Sequence, residues 1–238
     1  MSTNILFIHH STGGYLLQQG KVRELLLQKN KHLQLWDHGY NLDKNLVKFP
    51  FLSYLTFKTG LSNPLGLMTG RDFNVNISND SPEGYVKTFS QKPTDSTLSQ
   101  ILKFDIIIFK NCYPTTKITS DEQLTKYQNY YQTIFKYLKK YPNKLFIVFT
   151  SPPLRSELTK PEYAIRARKL SDWVVAHQSR NIKTFDFFDL LSDSSNTLKR
   201  QYCRFLPFDS HPNKLANQTI APILVNVLDS VSQQLVVS

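Results

Sequence analysis

The chain has 238 residues, which fits one sizeable α/β domain with a buried core. Its 29 Lys and Arg against 18 Asp and Glu give a formal charge of +11, yet the cations are scattered and accompany no zinc module, RNA-binding aromatic motif or long basic run, so nucleic acid is not an expected partner. No run of about 18 apolar residues occurs, which argues against a membrane span, and the short run Ile5–Ile8 lacks the basic region of a signal peptide, so the expected location is cytoplasmic.

Ile5 to His9 is an apolar run of buried-strand type. A Ser11–Gly14 turn follows, and Tyr15 to Gln28 reads as one helix in which Gly20 is a blemish of about 1 kcal/mol relative to Ala. Leu33 to Trp36 is a second strand, ending in Asp37-His38-Gly39-Tyr40-Asn41. Residues 42–104 are broken by Pro50, Gly60, Pro64, Gly66, Gly70, Pro82, Gly84 and Pro93, with aromatic residues between them. This stretch reads as a long irregular insertion carrying substrate-binding surface.

Asp105 to Phe109 is the clearest central strand, leading into Lys110-Asn111-Cys112-Tyr113-Pro114. Thr119 and Glu122 have capping-box spacing, and Leu124, Tyr127, Tyr131, Ile134, Leu138 and Tyr141 mark one helix face. Leu145 to Phe149 is a further strand, followed by Thr150-Ser151-Pro152-Pro153. Thr159, Pro161 and Glu162 start another helix, whose apolar face runs through Tyr163, Ala167, Leu170, Val174 and His177. Ile182 to Phe187 is the fifth strand, and Ala216, Ile220, Ile223, Val227 and Val231 mark a C-terminal helix. Alternating strands and helices predict a single domain with a parallel sheet covered on both faces.

In such a sheet, ligands bind beyond the carboxyl ends of the strands. Ser11, Gly39, Asn111 and the Ser151 turn all follow predicted strands, so they should gather on one edge. A serine becomes a nucleophile when a base takes its proton and a third group orients that base. Ser11, His211 and Asp209 supply those three parts. Asn111 and the Gly39 N–H could stabilise an oxyanion, as could backbone N–H groups at the helix start. Each residue also has an ordinary reading: Ser11 as a helix cap, Asp209–Asn213 as a surface turn, Asn111 as a strand end, Gly39 as a turn glycine. Their joint presence favours a hydrolytic site.

His9 and His10 precede Ser11, and either can face the site, but a metal needs more partners than the sequence offers. His32, His38 and His177 read as structural or solvent-facing. Asp37 and Asp43 lack a clear carboxylate partner, which argues against a two-carboxylate glycosidase. Cys112 and Cys203 fit no metal spacing and read as thiols of a reducing compartment. No cofactor is expected.

At these residues the chain resembles the SGNH hydrolase superfamily, the GDSL-like esterases. Ser11 in His-Ser-Thr-Gly-Gly, Gly39 in Asp-His-Gly-Tyr-Asn, Asn111 in Phe-Lys-Asn-Cys-Tyr-Pro, and Asp209 with His211 match its four blocks in order, over nearly the whole chain. The resemblance implies a flavodoxin-like three-layer α/β/α sandwich with a five-stranded, mainly parallel sheet. It further implies Ser11, His211 and Asp209 as a triad, with the Ser11 N–H, the Gly39 N–H and Asn111 as oxyanion hole. Two departures stand out. The usual Gly-Asp before the serine is His9-His10, and the usual Asp-x-x-His is Asp209-Ser210-His211, a spacing similar to that of the polysaccharide O-acetyltransferase branches. Gly70 competes with Gly39 for the glycine block. The expected function is hydrolysis of small acyl esters, acetyl among them, with a small-molecule or glycan ester as substrate. The alternatives are a sugar O-acyltransferase and an inactive glycan-binding protein on the same fold.

Overall fold

The computed structural model describes residues 2–40, 75 and 80–236. Strands β1 (Thr3–His9), β2 (Leu33–Gly39), β3 (Ile106–Phe109), β4 (Leu145–Phe149) and β5 (Ile182–Phe185) form one sheet in the order β2-β1-β3-β4-β5. Every neighbouring pair is parallel. This is the flavodoxin-like order, and its winding reverses between β1 and β3. The five expected strands are all present. The last is shorter than expected, because the Asp186 carboxylate caps a new helix by accepting from the Asp189 N–H.

Among the described residues the helices are α1 (Ser11–Gln19), α2 (Val22–Lys29), α3 (Glu83–Phe89), α4 (Leu98–Ile101), α5 (Asp121–Leu138), α6 (Pro161–Ala176), α7 (Phe187–Leu191) and α8 (Lys214–Val236). Strand residues alternate between two cores, as the period of two requires. Ile5, Phe7, Ile106, Ile108 and Ile147 pack with Leu16, Leu26, Ile220 and Leu224 of α1, α2 and α8. Leu6, Ile8, Ile107, Phe109 and Val148 pack with Tyr85, Phe89, Ile134 and Val174 of α3, α5 and α6. The result is an α/β/α sandwich. No helix among the described residues is long and apolar enough to cross a membrane.

Several local expectations are corrected. The helix expected over Tyr15–Gln28 is two helices, joined at Gly20 and at Lys21, whose φ of 54° is left-handed. Gly20 is less a blemish than a crossing point. A Cβ there would sit 2.6 Å from the Ala221 Cβ and 2.7 Å from the Asn217 oxygen of α8. Helix α5 is capped by Ser120, which accepts from the Gln123 N–H, rather than by a Thr119–Glu122 box. Lys160 occupies the cap position of α6 and makes no side-chain cap bond, although Pro161 is in the first turn as expected. His177 and Ile223 are exposed rather than on apolar faces. Within the expected irregular stretch, α3 and α4 are regular helices, while residues 41–74 and 76–79, Asp43 and Gly70 included, lie outside the described residues.

Candidate active site

Ser11 is the first residue of α1, directly after β1 and the extended His10. Asn111 and Cys112 follow β3, the next strand across the winding reversal. The two segments therefore meet where the connections from β1 and β3 leave to opposite faces and open a crevice. The loop before α8 brings Asp209 and His211 to the same place.

The His211 Nε2 lies 2.7 Å from the Ser11 Oγ, and its Nδ1 lies 2.5 Å from the Asp209 Oδ1. The same carboxylate oxygen accepts the His211 backbone N–H at 2.8 Å. This Asx-turn explains how the short Asp-x-His spacing still aims the carboxylate at the ring. Burial would raise the Asp209 carboxyl, but the His211 N–H and ring, and then Arg204, outweigh it and hold it below the usual range. Tyr15 and Tyr113 meet the imidazole edge-on, with centroids 5.4 and 5.0 Å away. Arg204 stacks on Tyr15 at 4.1 Å and lies 3.6 Å from the Asp209 Oδ2. A serine hydroxyl bonded to a carboxylate-oriented imidazole is an arrangement that can move a proton off Oγ.

Arg155, beyond the carboxyl end of β4, secures this loop. It donates to the Arg204 carbonyl at 2.9 Å and the Leu206 carbonyl at 2.6 Å, and its backbone N–H donates to the Ser210 Oγ at 3.1 Å. No motif marks Arg155 in the sequence. Its position just after the expected Ser151-Pro152-Pro153 turn was the available signal.

Asn111 is fully buried, and its amide donates to the Ser81 carbonyl at 3.0 Å. That bond ties the residues before α3 to the end of β3. Gly39 closes β2 beside His9. The Tyr40 N–H donates to the His9 carbonyl at 2.9 Å, so by the alternation of the ladder the Gly39 N–H points to the outer edge of the sheet, away from β1 and Ser11. The structure thus brings Ser11, His211 and Asp209 together, sets Asn111 in the adjoining strand end, and turns the Gly39 N–H elsewhere.

A buried polar cluster underlies the serine. The Cys112 Sγ is 3.8 Å from the Ser11 Oγ and 3.4 Å from the Thr12 Oγ1, and the Lys110 ammonium donates to the same Thr12 oxygen. Burial would raise the Cys112 thiol, but Lys110 and then hydrogen bonds from His10, Thr12 and Ser11 outweigh it and hold the thiol at about 5. Burial holds Lys110 down at about 8, which leaves it cationic at neutral pH. Both cysteines are free thiols.

On the other side of the serine turn, His9 is buried between the Asp37 Oδ2 at 3.1 Å and the His10 carbonyl at 2.8 Å. Asp37 also accepts from Arg23. Asp37 therefore pairs with a histidine and an arginine rather than with a second carboxylate. His38 is buried, with its Nδ1 2.8 Å from the Gly39 carbonyl.

No protein-family model and no curated protein sequence matches the chain. Solved structures do. A structure assigned as an acylhydrolase from Bacteroides fragilis superposes with a TM-score of 0.56 at 10% identity, covering 96% of this chain and 88% of that one. A GDSL-like lipase from Bacteroides thetaiotaomicron gives 0.54 at 9% identity, covering 96% and 89%. A carbohydrate esterase family 3 structure from Talaromyces cellulolyticus gives 0.50 at 12% identity, covering 98% and 99%. At these identities the likeness shows the fold alone: the chain shares the α/β/α sandwich of these structures.

Proposed function

We propose that the protein is a serine ester hydrolase that removes small acyl groups, with esters of carbohydrates the first substrate class to test. The observation that carries this reading is the hydrogen-bonded line from the Ser11 Oγ through His211 to Asp209. The esterase names of the structures that share the fold agree with it.

In this mechanism the Ser11 Oγ attacks the ester carbonyl carbon while the His211 Nε2 takes its proton. Asp209 holds the Nδ1–H and stabilises the resulting imidazolium. The carbonyl oxygen becomes an oxyanion, stabilised by the Ser11 N–H at the first turn of α1 and by the Asn111 amide hydrogen that is not given to Ser81. The carbon–oxygen bond to the leaving group then breaks, and His211 returns the proton to the departing alkoxide. Water, deprotonated by the same nitrogen, cleaves the acyl-Ser11 ester and restores the serine. No group beyond the chain and water is required. Gly39 is left out of the oxyanion hole because of the direction of its N–H.

The short Asp209-x-His211 spacing also admits transfer of the acyl group to a sugar hydroxyl in place of water. Hydrolysis of p-nitrophenyl acetate by the parent, Ser11→Ala and His211→Ala decides the main reading. Both variants are expected to lose about 10³-fold or more in kcat. Variants as active as the parent would sink it. A sugar acceptor that diverts most of the acetyl group from water would move the reading to transfer.

A further inference from the structure

The serine turn rests on a second histidine that takes no part in the proton transfer. The His9 Nδ1 faces the His10 carbonyl oxygen, and its Nε2 faces the Asp37 carboxylate. A carbonyl oxygen can only accept, and Asp37 already accepts from Arg23. The ring therefore donates from Nδ1 to the His10 carbonyl, while its Nε2 edge is held against the Asp37 carboxylate.

The His10 carbonyl receives two more donors, the backbone N–H groups of Gly13 and Gly14 at 3.0 and 3.1 Å. Three donors converge on one oxygen. That oxygen belongs to the same planar trans peptide as the Ser11 N–H, and the two point in opposite directions. Fixing the carbonyl fixes where the Ser11 N–H aims. A ring N–H donating to the carbonyl also polarises the peptide and strengthens that N–H as a donor.

The packing says the same. A Cβ on Gly13 would lie 2.4 Å from the His9 Cβ and 2.8 Å from its Cγ. The first turn of α1 is thus laid directly on the His9 side chain.

We propose that His9, clamped by Asp37 and Arg23, is a positioning residue that holds and polarises the oxyanion-binding N–H of Ser11. This inference rests on the esterase reading above. It gives the His9-His10 pair that precedes the serine a specific task.

The test compares His9→Leu, His9→Asn and Asp37→Asn with the parent. It measures kcat and KM for p-nitrophenyl acetate, the dissociation constant of a trifluoromethyl ketone that adds to Ser11, and the unfolding midpoint. His9→Leu is expected to lower kcat by about 10–100-fold with KM little changed, since a donor displaced rather than deleted costs somewhat less than a lost one. The tetrahedral adduct should weaken by a similar factor. His9→Asn places an amide N–H near the position of Nδ1 and should recover part of the loss. Asp37→Asn, with His9 intact, should fall between parent and His9→Leu. Should His9→Leu not fold, the His9→Asn and Asp37→Asn variants carry the comparison through the same readouts. Adduct affinity and kcat per titrated serine unchanged in the folded variants would overturn the inference, as would equal losses for Leu and Asn. A parent that shows no Ser11-dependent turnover and forms no adduct overturns the esterase reading, and this inference with it. An active parent with indifferent His9 variants overturns this inference alone.

Discussion

Lys110 and Cys112 flank Asn111, and their side chains sit beneath Ser11 with almost no exposure. Removing one member of a buried charge pair strands the other. Cys112→Ala should therefore destabilise the protein by about 3 kcal/mol, and adding Lys110→Met should recover most of that loss. Chemical denaturation of the parent, the two single variants and the double variant gives the coupling directly. Additive single effects would show that the two side chains do not interact. Asp209 makes a different prediction. Its carboxyl is held below the ordinary range, so its contribution is complete above an unfolded value of about 3.9 and fades as pH falls through the lower folded value. The stability gap between the parent and Asp209→Asn should stay constant from neutral pH down to about pH 5, then narrow as the solution is acidified further. A gap that instead opens on acidification would contradict the sign. These residues differ in how far the sequence exposed them. Ser11, Asp209 and His211 stand out because a nucleophile, a base and an orienter are rare residue types to find in motif order. His9, Asp37 and Arg23 do not, because each acts on a neighbour's backbone or charge, and only coordinates reveal which neighbour that is.

Among elements, the strands were readable because each is a short apolar run bounded by turn residues. The long faces of α5 and α6 were readable because their period is sustained over several turns. Caps and joints were less so. Ser120 and Thr119 are adjacent candidates, and only the Gln123 N–H chooses between them. The break at Gly20 and Lys21 reflects the passage of α8 against that corner, a contact from some 200 residues away that no local window contains. The loop between β5 and α8 carries its own prediction. Arg155 holds its Arg204 and Leu206 carbonyls, three to five residues before Asp209. Arg155→Ala should lower kcat for p-nitrophenyl acetate by about 10-fold or more, because small misplacements of catalytic groups are costly, and Arg155→Lys should recover only part. Unchanged kcat in Arg155→Ala would show that the loop holds its shape by other contacts.

At the scale of the whole molecule, alternating strand and helix signals gave the class of fold. The sheet order adds what the alternation could not: β1 and β3 lie side by side with the winding reversed between them. That adjacency places Ser11 and Asn111 at one crevice. The same ladder register turns the Gly39 N–H toward the outer edge of the sheet, a direction that depends on register and not on residue type.

Ser11 and His211 stand 200 positions apart in the chain. A nascent chain that has folded β1, α1 and β3 already displays the hydroxyl, but nothing yet draws its proton away. On the proposed reading, reactivity waits until residue 211 has been made, the Asp209–His211 loop settles against Arg155 and α8 closes over α1 and α2. On the same reading the half-made chain is inert toward esters until then. A fragment ending before residue 209 would keep all five strands while lacking His211, so on the proposed reading ester turnover would report that synthesis has passed that point.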